Sequence, residues 1–288
     1  MPFSHQLLAL CCVILWGLNF VAIKIGLDGF PPLLLCACRF FLTCFPAIFF
    51  FRRPAIPFRK IFFYGIVMFA IQFALLFVGI NIGAPPGLSS LLMQTQVFFS
   101  VLLAILLFNE RLKVCQIVGG VIACSGIGYV AMHVGGHFTL AGFLCVVSAA
   151  LFWGFGNVLS KHIGHVNRVA LVAWASFVAW PLLLLASLVM EGPQTLICSF
   201  QNISWLSTGI ILYIAYPTTL FAFAAWNWLI HHHPLASVAP FTLLVPIFGM
   251  TSSSLLLGEP FQLWKAMAAL LIIGGMGINV IGPRFFRK

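Results

Sequence analysis

The sequence predicts an all-α polytopic membrane protein: ten transmembrane helices in two inverted five-helix repeats, with both termini cytoplasmic. Three observations carry that prediction. The 288 residues are 62% hydrophobic and only 6% charged, whereas soluble domains are roughly one-quarter charged. The apolar runs reach the length of about 20 residues that crosses a bilayer. They lack the alternation of a barrel strand, and only helices or closed barrels satisfy their backbone in lipid. Finally, the chain writes one motif twice, as Trp16-Gly17-Leu18-Asn19 with Lys24 and as Trp153-Gly154-Phe155-Gly156-Asn157 with Lys161.

The two copies keep a regular step. Trp16 to Trp153 and Lys24 to Lys161 are each 137 residues apart, with the asparagines one residue out of register. Tyr64 and Tyr213, Pro85 and Pro234, and Glu110 and Glu259 are each 149 apart. The longer step places an insertion in the polar stretch around 191–204. Internal repetition of this kind decides the architecture before any local feature. The repeats are expected at 6–133 and 138–283.

Hydropathy gives spans at about 6–26, 31–51, 61–82, 86–108 and 114–133 in the first copy. The second copy has them at about 138–160, 168–190, 205–230, 234–257 and 261–283. The net charge of +10 follows from their orientation. With the N-terminus inside, the inner loops and tail hold Arg52, Arg53, Arg59, Lys60, Arg111, Lys113, Lys161, Arg168, Arg284, Arg287 and Lys288. The positive-inside rule then puts both termini in the cytoplasm. No basic run is long enough for nucleic acid. Five spans per copy is an odd number, so the second copy is inverted relative to the first, an arrangement that recurs in secondary transporters.

The first span carries Trp16 and Asn19 on one face, and Lys24 near its outer end. The second contains Arg39, eight residues past Pro31, hence roughly 12 Å into the apolar layer. An arginine at that depth costs about 2.5–3.5 kcal/mol on an insertion scale. The chain has four acids, Asp28, Glu110, Glu191 and Glu259, all in loops or at span ends. Arg39 therefore either receives a substrate carboxylate or braces the bundle by donating to backbone carbonyls and water. Tyr64 and Gln72 lie in the third span and Ser89, Ser90, Gln94, Thr95 and Gln96 in the fourth; they either face a polar interior or bond neighbouring helices. Gly120, Cys124 and Gly128 in the fifth span, and Gly274, Gly275 and Gly277 in the tenth, are expected to let helices approach closely.

Trp153, Trp174 and Tyr213 join Trp16 as an expected aromatic wall, beside Asn157. His231-His232-His233 is expected in a short cytoplasmic turn. Lys24 and Glu259 fall toward the outer face, Lys161 and Glu110 toward the inner one. They are read either as two gates or as four interfacial anchors. Neither catalytic groups nor cofactors are expected: the chain has no GxxxxGK[ST], no GxSxG and no HExxH, the marks of a P-loop, an esterase nucleophile and a zinc protease. The nine cysteines form no CxxC, so no structural metal is expected.

These residues resemble the EamA family of the drug/metabolite transporter superfamily. The likeness rests on WGxNFxxxK and WGxxNxxxK, on NERL at 109–112, on GEP at 258–260 and on the glycine-rich fifth and tenth spans. The run from Trp16 to Phe51 is especially similar to bacterial exporters of O-acetylserine and cysteine. Pro260 departs from the first copy, which has Arg111 there. The resemblance implies a bacterial inner-membrane secondary transporter that moves small amino-acid-type metabolites outward by alternating access. Its partners would be a small-molecule substrate and the lipid bilayer, with a homodimer as an allowed assembly. Transporters of nucleotide-like or S-adenosylmethionine-like solutes and multidrug exporters are the alternatives within the superfamily.

Overall fold

The computed structural model describes residues 1–108, 114–135, 138–164, 166–233 and 235–285. Among them, nine helices are long and apolar enough to cross a membrane: α1 (Phe3–Leu27), α2 (Pro32–Phe50), α3 (Phe58–Asn81), α4 (Pro86–Leu107), α5 (Val114–Ala131), α6 (Leu140–Ile163), α7 (Arg168–Met190), α8 (Trp205–His232) and α9 (Ala239–Leu257). A further apolar helix, α10 (Leu263–Phe285), closes the chain. The described residues contain no β-strand, only one isolated bridge between Gly135 and Phe138. This is a multi-pass α-helical membrane protein.

Proline and threonine mark the starts. Pro32 and Pro86 open α2 and α4, where a missing N–H costs nothing, and Thr139 Oγ1 accepts from Gly142 N at the start of α6. The helices pack in a regular pairing. α2 lies along α7 and α5 along α10; α1 contacts α8 and α9, and α6 contacts α3 and α4. Small residues set the crossings. A Cβ on Gly17 of α1 would come within 2.6 Å of Phe248 Cβ in α9, and one on Gly154 of α6 within 2.9 Å of Phe99 Cβ in α4. The two contacts correspond to each other by the steps already seen in the sequence: Gly17 and Gly154 are 137 apart, and Phe99 and Phe248 are 149 apart.

At the α5–α10 crossing Gly275 of α10 is used as expected, but α5 presents other small residues than the spacing suggested. Gly119 and Gly275 face each other so closely that a Cβ on either would lie 2.5 Å from the other's carbonyl oxygen, and Gly126 abuts Ile272. Gly128, Gly274 and Gly277 have open space beside them, and Gly120 touches only Phe98 at 3.9 Å. The contacting face runs through Gly119, Ala123 and Gly126, the helical i, i+4, i+7 stripe, rather than through Gly120, Cys124 and Gly128.

Both α3 and α8 widen into a π-helical stretch, at Gly65–Ile71 and Tyr216–Phe221. Such bulges often stand at functional sites. The polar stretch after α7 is not simply a loop: it forms the short helix Pro193–Gln201. At the opposite end, His231 and His232 are the last residues of α8 rather than a turn. His233 Nε2 lies 2.7 Å from His5 Nδ1, which joins the end of α8 to the start of α1. Partial desolvation, and then the charges of His5 and the amino terminus, hold His233 below the ordinary histidine value.

Candidate functional site

A cavity of about 430 Å³ lies between α1, α2, α3, α4, α6, α7, α8 and α9. At mid-depth it is lined by Trp16, Asn19, Arg39, Gln94, Trp153 and Asn157. It continues past Tyr64, Ser160, Asn227 and Ile230 to Arg168, toward the end of the bundle where α3 and α7 begin and α6 and α8 end. Among its described lining residues are two arginines and no acid.

Arg39 is 2% exposed, and its polar contacts come from side chains rather than from the backbone. Nε and Nη2 donate to Thr219 Oγ1 at 3.1 and 3.0 Å, and Nη1 reaches Asn19 Oδ1 at 3.5 Å. One guanidinium face rests on the Phe73 ring, 4.4 Å from its centroid, a cation–π contact strengthened by desolvation. Thr219 sits in the π-helical stretch of α8, and its hydroxyl donates in turn to Ile214 O at 2.7 Å. The neighbouring Thr218 donates to Ile214 O and lies 3.2 Å from Asn19 Oδ1, and its own carbonyl accepts from Trp16 Nε1 at 3.0 Å. The repeated motif of α1 is thus fastened to the widened turn of α8.

The opposite wall is built from the motif's second copy. Asn157 Nδ2 donates to Gln96 Oε1 and Ser100 Oγ, at 2.6 and 3.0 Å. Gln94 Nε2 donates to Thr242 O at 2.6 Å, bridging the interrupted stretches of α4 and α9. Trp16 also packs edge-on against Phe223 and Trp226, with centroids 5.6 and 5.2 Å apart. At the far end, Arg168 donates to Ser160 Oγ at 2.7 Å and to Gly164 O at 3.1 Å, tying the last turn of α6 to the first of α7.

Three of the expected binding residues lie elsewhere. Gln72 is fully buried, does not line the cavity, and neither its Nε2 nor its Oε1 has a partner among the described residues. Trp174 points away and donates to Phe51 O at 3.1 Å; Tyr213 donates to Leu15 O at 3.0 Å. In both cases the side chain's polar tip is spent on a neighbouring backbone, so the ring packs rather than lines. Tyr64 lines the cavity, one of the two places its polar tip allowed, while Arg168, Ser160, Trp226 and Asn227 line it unforeseen. Arg168 reads in sequence as one more inner-loop cation, and only its place at the first turn of α7 hints otherwise.

The expected gate residues are also dispersed. Glu259 shares a small recess with Gly87, Pro260 and Lys265, without Lys24. Lys265 is buried and donates to Pro260 O at 3.1 Å. Lys24 is half-buried in the last turn of α1. Lys161 is exposed in the last turn of α6, and Glu110 lies outside the described residues. The fourth acid, Glu191, holds the start of α2, where its carboxylate accepts from Leu33 N at 2.7 Å, Leu34 N at 3.1 Å and Ser187 Oγ. The nine cysteines are free thiols. Among the described residues no cluster of three or more His, Cys, Asp or Glu is disposed to hold a metal ion.

Comparison with known proteins decides what kind of molecule encloses this cavity. The EamA-like transporter family matches residues 4–132 and 140–281. The chain belongs to the EamA-like transporter family. An Escherichia coli K12 protein named a probable amino-acid metabolite efflux pump is 39% identical over 284 residues, covering 96% of this chain and 95% of its own. Its Salmonella typhimurium LT2 namesake is 40% identical over 286 residues, covering 97% and 96%. A Streptantibioticus cattleyicolor protein named a probable terminal-alkyne amino-acid exporter is 28% identical, covering 93% and 90%. A crystal structure of a protein 17% identical in sequence superposes on 100% of this chain and 99% of its own with a TM-score of 0.68, a likeness of fold alone. For this EamA transporter, the cavity is the place to seek the solute.

Proposed function

We propose that this protein is a secondary transporter of the bacterial inner membrane that exports small amino-acid-type metabolites by alternating access between two inverted five-helix repeats. The observation that carries the reading is Arg39 on a cavity wall with no carboxylate among its described lining residues. A cation held at mid-depth without an acid is electrostatically incomplete, and a substrate carboxylate completes it. The names of the relatives support the same class: amino-acid metabolite efflux pump and amino-acid exporter. The aromatic group of Trp16, Phe223 and Trp226 offers ring faces to an α-ammonium, a second point of recognition for a zwitterion. A cavity of about 430 Å³ lies within the usual size of small-molecule sites. With both termini in the cytoplasm, as the basic loops indicate, the Arg168 end faces the cytoplasm, the side from which an exporter loads. Lys24, Glu259, Lys161 and Glu110 are proposed as charged markers of the two mouths, with Glu259 working beside Lys265 rather than Lys24.

The test is flux of radiolabelled cysteine and O-acetylserine in proteoliposomes. Arg39→Leu should lose transport of the free amino acids at matched membrane levels, and Arg39→Lys, which keeps the charge but not the planar fork, should weaken it. A methyl-ester substrate should move equally through wild type and Arg39→Leu. Equal transport of the free amino acids by wild type and Arg39→Leu overturns the proposed role of Arg39.

A further inference from the structure

On the lipid side of α8 the same widened turn forms the floor of a second, quite different hollow. Its volume is about 730 Å³, and its lining is almost wholly apolar. It runs from Leu15 of α1 past Tyr216, Pro217 and Phe221 of α8 to Phe50 and Phe51 at the end of α2. Phe50 and Phe221 are exposed large hydrophobics. The Phe51 end of the hollow is fixed in place, because Trp174 Nε1 donates to Phe51 O. Directly after Phe51 the chain leaves the helix as Arg52-Arg53, both exposed. The ten residues 51–60 carry Arg52, Arg53, Arg59 and Lys60 and no acid.

We infer that this hollow is a binding site for an anionic glycerophospholipid, its acyl chain lying along the Tyr216–Phe221 turn and its phosphate held by Arg52 and Arg53. Two physical requirements meet here. A lipid-facing cleft of this size must be filled by something apolar, and a chain inside it is ordered only if its headgroup is also held. Basic pockets at the cytoplasmic ends of membrane helices supply that hold, and arginine grips phosphate through two parallel bonds. Charge complementarity selects the anionic headgroup: a zwitterionic choline lipid would bring its ammonium to a loop of four cations. The site also has a mechanical consequence. Tyr216, Pro217 and Phe221 face the hollow while Thr218 and Thr219 of the same turn hold Asn19 and Arg39. A bound acyl chain therefore buttresses the backbone on which Arg39 rests.

The full chain is reconstituted in nanodiscs of phosphatidylcholine doped with phosphatidylglycerol of the same acyl chains, and retained lipid is read by native mass spectrometry. Two arginines near an anionic surface give an expected preference for phosphatidylglycerol of roughly thirtyfold. Arg52→Gln/Arg53→Gln should abolish it. Arg59→Gln/Lys60→Gln, which removes the same charge, should keep it. Ala224 also lines the hollow, and Ala224→Trp, which fills it and leaves both arginines, should also lose the lipid. Amide exchange at 216–221 should slow when phosphatidylglycerol is added to wild type. No preference in wild type, a preference that survives Arg52→Gln/Arg53→Gln or Ala224→Trp, or its equal loss in Arg59→Gln/Lys60→Gln overturns the site. The last outcome would reduce the effect to surface potential.

Discussion

Replacing Glu191 by alanine should be among the most destabilising single changes outside the bundle core, and the structure says by how much. Helix α2 starts Pro31-Pro32-Leu33-Leu34. Pro32 has no N–H, and Leu35 N is already bonded to Pro31 O at 2.9 Å. The only orphan donors of the first turn are Leu33 N and Leu34 N, and Glu191 takes both, one on each oxygen. Leu33 and Leu34 are buried, which keeps water from substituting. Each buried donor left unmade costs about 1–3 kcal/mol. The lost charge at a partly buried helix N-terminus removes up to about 2 kcal/mol more. These contributions overlap, so a net loss of about 3 kcal/mol is expected, equivalent to a fall of roughly 6–12 °C in Tm by the scaling for soluble chains near this size. Glu191→Gln keeps one acceptor oxygen and should lose about half as much. Thermal unfolding of purified wild type, Glu191→Gln and Glu191→Ala in one detergent measures the order. A Glu191→Ala protein melting within about 2 °C of wild type would refute the accounting of the α2 start.

Two other changes follow from packing. Gly119→Val places side-chain carbons against the backbone of Gly275, where 2.5 Å is available; overpacking costs about 1–3 kcal/mol, and Gly120→Val, on the open side, should melt like wild type. Equal melting of the two would disprove the close approach of α5 and α10. Gln72→Leu removes a buried amide without partners and should hold or raise the melting temperature, since burying an unbonded polar group costs about 1–3 kcal/mol. A fall in stability would reveal a partner for Gln72 that the present contacts lack.

Much of the fold was legible because membrane helices are local. A run of apolar residues declares a span by its own composition, so the helices α1–α9 lie close to the spans expected from hydropathy. What was not legible is rotation. Adjacent residues on a helix point 100° apart, and the neighbour on each side is chosen by contacts distant in sequence. Arg39 announces itself by its cost, but its partner Thr219 lies 180 residues on, and nothing near Thr219 marks it. The same gap explains Gly119 against Gly120, and Tyr213, whose hydroxyl is spent on Leu15 O. Glu191 looked like a loop residue because the donors it serves belong to a helix 157 residues earlier. Arg168 shows the reverse error: a charge sufficiently explained by topology was also lining the cavity.

The hydroxyl of Thr219 has one hydrogen and two lone pairs, and each is spoken for. The hydrogen goes to Ile214 O, and Nε and Nη2 of Arg39 converge on the oxygen. The oxygen cannot turn without breaking three bonds at once, so the plane of the guanidinium is set by a threonine on another helix. Hydrogens point one way along this relay, from Arg39 through Thr219 into the carbonyl of Ile214. A molecule arriving with hydrogens of its own finds no spare lone pair there, whereas one that brings lone pairs meets the edge of Arg39 that Thr219 leaves uncovered. The direction of these protons is thus set on α8, one helix away from the arginine whose plane it fixes.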